Sequence, residues 1–142
     1  MFKGKIIVIV MLIIGINGYA QNEKQADKMN ITKLKYLDGS GNSFNITNDS
    51  ISYLPITPEI SSSGMYSGGK ETHKAINKVD FIRLSNQFDQ IFSNKKIQIS
   101  NRVKTSGLLI RYYKNNVMEQ IIISKSDEQK QLEDFLNLLL KE

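Results

Sequence analysis

The chain has 142 residues, a formal net charge of +5, one histidine, no tryptophan and no cysteine. Those counts exclude thiol catalysis, thiolate metal sites and disulfide exchange, and they argue against a clustered transition-metal site. The basic excess carries no aromatic-interleaved stripe, so nucleic acid is not an expected partner.

Residues 1–20 set the address. Lys3 and Lys5 precede an unbroken apolar run from Ile6 to Ile14, and Gly18 and Ala20 occupy the −3 and −1 positions of a cleavage site after Ala20. This is the order of a secretory signal peptide. The run falls short of the ~20 apolar residues that span a bilayer, so no stable membrane span is expected after cleavage. Removal of 20 of the 142 residues leaves 122, and loss of two lysines from +5 leaves a charge near +3. The expected location is exported, either periplasmic or extracellular.

Residues 21–30 are polar, lack an apolar period, and read as a flexible lead-in. Ile31 to Leu37 reads as a strand, although Ile31, Leu34 and Leu37 also fit a short helical face. Asp38 to Asn42 is a turn cluster, Phe44 and Ile46 alternate on a return strand, and Ile51, Tyr53 and Pro55 mark another extended piece ending near the proline. Asn77 is the expected cap of a helix reaching about Ser93, its apolar stripe made by Phe81, Leu84, Phe88 and Ile91. Ile97, Ile99, Asn101 and Val103 alternate as a strand, followed by a turn at 105–107 and strands over Leu108–Tyr113 and Val117–Ile123. Ser126 and Gln129 make the expected capping box of a last helix, whose apolar face is Leu132, Phe135, Leu136, Leu139 and Leu140. The fold class is α+β: a single compact domain over 31–142, with an antiparallel sheet and two amphipathic helices packed mainly on one face.

The segment Pro55–Gly69 is unusual in composition, holding both prolines of the chain. Ser63, Gly64, Met65, Tyr66, Ser67, Gly68 and Gly69 form the candidate binding site, a Ser/Gly frame presenting a thioether and a phenol. The alternative is a strand–bulge–strand piece with Tyr66 packed on the sheet. The glycines do not follow phosphate-loop spacing, since Glu71 follows Lys70.

His73 is the one residue through which a serine-type hydrolase would be built, but no Gly-x-Ser-x-Gly occurs and its neighbours Lys70 to Lys74 are polar. A solvated surface histidine is expected. Glu119, inside a strand, is expected to pair with Arg111 or Arg102. Tyr53, Tyr112 and Tyr113 are the aromatic contacts available to a glycan. Asn30, Asn45 and Asn48 begin N-glycosylation patterns, and Asp49-Ser50-Ile51 resembles an O-glycosylation site of exported Bacteroidota proteins.

The ending Gly18-Tyr19-Ala20-Gln21, the Lys/Ile/Asn-rich composition and the run of segments from Pro58 to Ile123 resemble small secreted proteins of Bacteroidota, a likeness that implies export and no particular activity. Ser67-Gly68-Gly69, then helix, strands and the Leu-rich end Leu132–Leu140, are similar in order to emfourin-type metalloprotease inhibitors. That likeness implies inhibition of a protease and transfers no inhibitory residue. The expected function is an exported non-catalytic protein-binding module, a protease inhibitor or immunity-type protective protein, with a protein partner in the envelope or exterior. The alternatives are an envelope glycan- or lipid-binding domain and a hydrolase using His73. No cofactor or metal is expected.

Overall fold

The first four strands fold as a meander because each is short, alternating and closed by a turn-forming cluster. They are β1 (Ile31–Leu37), β2 (Ser43–Ile46), β3 (Ser50–Leu54) and β4 (Thr72–Ala75). The computed structural model describes residues 31–141, so the expected signal peptide and the 21–30 lead-in lie outside the described residues. After β4 come helix α1 (Lys78–Ser93), a 3₁₀ turn (Lys95–Ile97), β5 (Gln98–Ile99), β6 (Gly107–Tyr113), β7 (Met118–Ile123) and helix α2 (Asp127–Lys141). The strands join in the order β4-β3-β2-β1-β6-β7-β5. Helix α1 therefore carries the chain from one edge of the sheet to the other, and β6 and β7 then fill the gap back to β1.

Register decides which residues meet. Leu34, Ile46 and Ile51 stand opposite one another across three strands, and so do Tyr36, Phe44 and Tyr53. Both rows lie on the helix-covered face. Leu34, Tyr36, Ile46 and Ile51 are wholly buried there, and Phe44 nearly so. Leu84, Phe88, Leu132 and Leu136 descend on them from the helices, also fully buried. Each such side chain contributes about 1.5–3 kcal/mol by leaving water. At Gly107 an added Cβ would lie 2.8 Å from the Tyr36 ring and 3.2 Å from Ile123, so only glycine admits that ring beside β6.

The α+β architecture, with both helices on one sheet face, agrees with the sequence. Four details differ. The strand expected through Val103 stops at Ile99, because pairing with β7 covers only Gln98 and Ile99. Val103 instead opens a tight turn in which the buried Ser106 hydroxyl donates to its carbonyl and accepts from its amide. Val117 lies outside β7, and its carbonyl closes the hairpin by accepting from the Tyr113 amide at 3.0 Å. Ser126 accepts from the Gln129 amide at 3.2 Å, but the Gln129 side chain turns inward to Tyr36 and Glu133 and does not complete a capping box. Leu140 is only half-buried, while Gln129 takes a place on the inner face of α2.

Candidate functional site

The chain leaves β3 at Leu54 and returns to β4 at Thr72, and a buried polar residue at the β1–β2 turn helps to hold the intervening segment. Asn42, 3% exposed, lies at the end of the β1–β2 turn. Its Nδ2 donates to Asp38 Oδ2 at 2.7 Å and to the Tyr66 hydroxyl at 2.9 Å. Its Oδ1 accepts from the Ile56 amide at 2.9 Å. One side chain thus ties the turn, the start of the loop and the end of the loop together. A buried amide must satisfy its donors and acceptor, and here both ends of the loop supply the partners.

Gly68 completes the clamp. Its amide donates to Ile56 O at 2.9 Å, and its carbonyl accepts from the Tyr53 hydroxyl at 2.7 Å. A Cβ at this position would sit 2.0 Å from Asn42 Oδ1 and 2.9 Å from Pro55 Cβ, so close approach of the backbone requires glycine. Burial, with the Asp38 charge second, raises the Tyr53 phenol above its ordinary pKa and keeps it a hydrogen-bond donor.

Above the clamp the loop builds its own geometry. The amides of Ile60 and Ser61 both donate to Thr57 O, making one helical turn, and the Gly64 amide donates to Ser61 O. Ser63 Oγ accepts from the amides of Met65 and Tyr66 at 3.3 Å, and Ser67 Oγ accepts from the Gly69 amide at the same distance. These are the short-range serine bonds that favour turns over strands. The segment is accordingly a loop and not a strand–bulge–strand.

Met65 stands 84% exposed and Ile60 70% exposed at its outer part. Tyr66 is 38% exposed, its hydroxyl directed inward to Asn42, so it anchors the loop while showing part of its ring. Ser63, Gly64, Ser67 and Gly69 are exposed, and Gly68 is half-buried in the clamp. Two contributors were absent from the sequence-based site: Ile60, hidden by its polar neighbours, and Asn42, which reads in sequence only as a turn residue.

His73 is on the opposite sheet face from the helices, in a row running Lys35, Asn45, Ser52, His73 across four strands. Its Nδ1 lies 2.8 Å from Ser52 Oγ and its Nε2 lies 2.7 Å from Glu71 Oε1. Hydroxyl, imidazole and carboxylate follow one another as in a hydrolase. However, the His73 and Glu71 side chains are 62% and 58% exposed, and water competes for every bond.

Two further polar groups lie against the helices. Arg111 bonds Asp89 and Glu119, each at 2.6 Å, and its guanidinium sits 3.7 Å above the Phe92 ring. The Tyr113 hydroxyl donates to Glu119 at 2.7 Å. This bond foremost, aided by Arg111, holds the Glu119 carboxyl below its ordinary pKa against the opposing effect of burial. Glu119 thus pairs with Arg111 as the sequence suggests, while Arg102 instead donates to Asp38 O. An open cavity of about 630 Å³ lies between the Asp38–Ser40 turn, Lys104 and the start of α2. Beside it the buried Tyr36 hydroxyl donates to Glu133 at 2.5 Å and accepts from Gln129 at 3.0 Å. That network fastens α2 to the sheet.

No protein-family model, curated protein or solved structure matches the chain. Functional assignment therefore rests on the geometry of the chain's own residues. Among the described residues, no helix is long and apolar enough to cross a membrane.

Proposed function

We propose that this chain is an exported, non-catalytic protein-binding module that contacts its partner through the 55–69 loop, acting as a protease inhibitor or immunity-type protective protein. The observation that carries the reading is the pairing of a fixed base with two exposed apolar side chains farther along the loop. Asn42, Gly68 and Tyr53 fasten the two ends of the loop, and Ile60 and Met65 stand 70% and 84% exposed beyond them. Large apolar side chains held in water on an ordered loop are the form of a recognition element. Fastening lowers the entropy that binding would otherwise have to remove. Methionine adds an adaptable, polarizable contact, and the part-exposed Tyr66 ring extends the same surface.

The test uses the secreted chain and its captured partner. Ile60→Ser and Met65→Ser together weaken partner binding by at least about 1 kcal/mol, as loss of interface anchors does, with an unchanged melting temperature. Unchanged affinity in a folded double variant removes the loop from the contact surface.

A further inference from the structure

Resting on the protein-binding reading above, the geometry points to a second contact element, the open edge of β4, which we propose takes an extended acidic strand of the partner protein as an eighth strand of the sheet. β4 ends the strand order and pairs only with β3. Which of its backbone groups are open follows from the register. Ser50 stands opposite Ala75 and Ile51 opposite Lys74, and the Ile76 amide donates to Asp49 O at 3.0 Å. In an antiparallel pair the hydrogen-bonded residues alternate. Ile76, Lys74 and Thr72 therefore turn their amides and carbonyls toward β3, and Ala75 and His73 turn theirs away from the sheet. Two residues, each with one free donor and one free acceptor, form the template that strand addition requires. The opposite edge offers no equivalent, since β5 has only Gln98 and Ile99 before the chain turns away.

Charge selects the occupant. Lys70, Lys74 and Lys78 recur at every fourth residue just before, within and just after β4, and none forms an ion pair among the described residues. Of the nearby acids, Glu71 is hydrogen-bonded to His73 Nε2 at 2.7 Å, and Asp80 lies in the first turn of α1. Lysines along an edge repel a second copy of that edge and attract a strand carrying carboxylates. Beyond the end of β4 the exposed Val79, 72% accessible, offers an apolar contact. The favoured guest is thus an extended segment alternating acidic and β-branched residues.

The experiment is a titration of the ¹⁵N-labelled chain with an acetylated, amidated pentapeptide alternating glutamate and valine, followed by amide shifts and amide exchange. The expected result is that the His73 and Ala75 amides shift and become protected, and that a lysine–valine peptide of the same length binds at least tenfold more weakly. Ala75→Pro removes an outward amide without touching the β3 ladder, so it keeps the fold and lowers peptide affinity at least tenfold. Met65→Ser leaves peptide binding unchanged, which separates failure of the edge from failure of the loop. Unmoved His73 and Ala75 amides, equal binding of the two peptides, or full binding by Ala75→Pro would overturn the proposal. So would peptide-free shifts of the β4 amides on concentrating the chain, which would assign the edge to a second copy.

Discussion

Replacing Asn42 with alanine should cost far more than an exposed turn residue ordinarily does. The substitution removes three hydrogen bonds: those to Asp38, Tyr66 and the Ile56 amide. Each contributes about 0.5–1.5 kcal/mol net, and the part-buried Ile56 amide and Asp38 carboxylate lose compensation, so the total is about 2–4 kcal/mol. At about 4 °C per kcal/mol for a domain of this size, the melting temperature falls by roughly 8–16 °C. Amide exchange should accelerate in the 55–69 loop more than in β6 and β7, because the clamp holds the loop specifically. Gly68→Ala tests the same contact from the other side, since its Cβ would meet Asn42 Oδ1 at 2.0 Å. In the Asn42→Ala background that clash is gone, so Gly68→Ala should cost at least about 1 kcal/mol less than in the wild type. Calorimetry and exchange measured by mass spectrometry supply both quantities. A variant that melts like the wild type with unchanged loop exchange, or strict additivity of the two substitutions, would refute the clamp.

Tyr36→Phe should destabilise the domain by about 1–3 kcal/mol, because Glu133 loses a buried donor and Gln129 an acceptor; chemical denaturation reads the change directly. Glu119 titrates below its ordinary value of 4.5, so it stabilises the fold above that value, and the contribution disappears as pH falls through the lowered one. Melting curves of Glu119→Gln should accordingly lose less stability than the wild type on acidification below about pH 4.5. The Tyr113 phenol is pushed up to about 12, by burial first and then by Glu119. Its contribution is complete below pH 10 and is lost as pH rises from there to about 12, and Tyr113→Phe should remove this alkaline component from the melting profile.

The helices were the most legible part of the chain. Phe81, Leu84, Phe88 and Ile91 recur at helical spacing and are all buried, and Asn77 accepts from the Asp80 amide at 2.8 Å as a cap does. Alternation likewise located β6 and β7, because both are long enough for the period to repeat. It failed after Ile99, where the alternating Asn101 and Val103 lack a partner strand to pair with and Ser106 organises a turn. Gln129 looked like a capping residue because local spacing permitted it, yet the Tyr36 hydroxyl, 93 residues away in sequence, claims its amide. The loop was legible as Ser, Gly and Pro composition. Its clamp was not, since the contact of Asn42 with Tyr66 spans 24 residues and no local pattern announces it. Ile60 is likewise illegible, since nothing in its polar neighbourhood signals an isoleucine 70% exposed.

The most direct test of the protein-binding reading is a photo-crosslinking side chain placed at Met65, with the same group at Met118 as the control. Met118 is also an exposed methionine, 51% accessible, but lies on β7 away from the loop. Illumination of the purified chain in an extract of its source cells should join Met65 to one protein species, blocked by excess unlabelled chain, with no such product from Met118. Equal labelling from both positions, or no saturable protein product from Met65, would contradict the assignment of the loop as the partner surface.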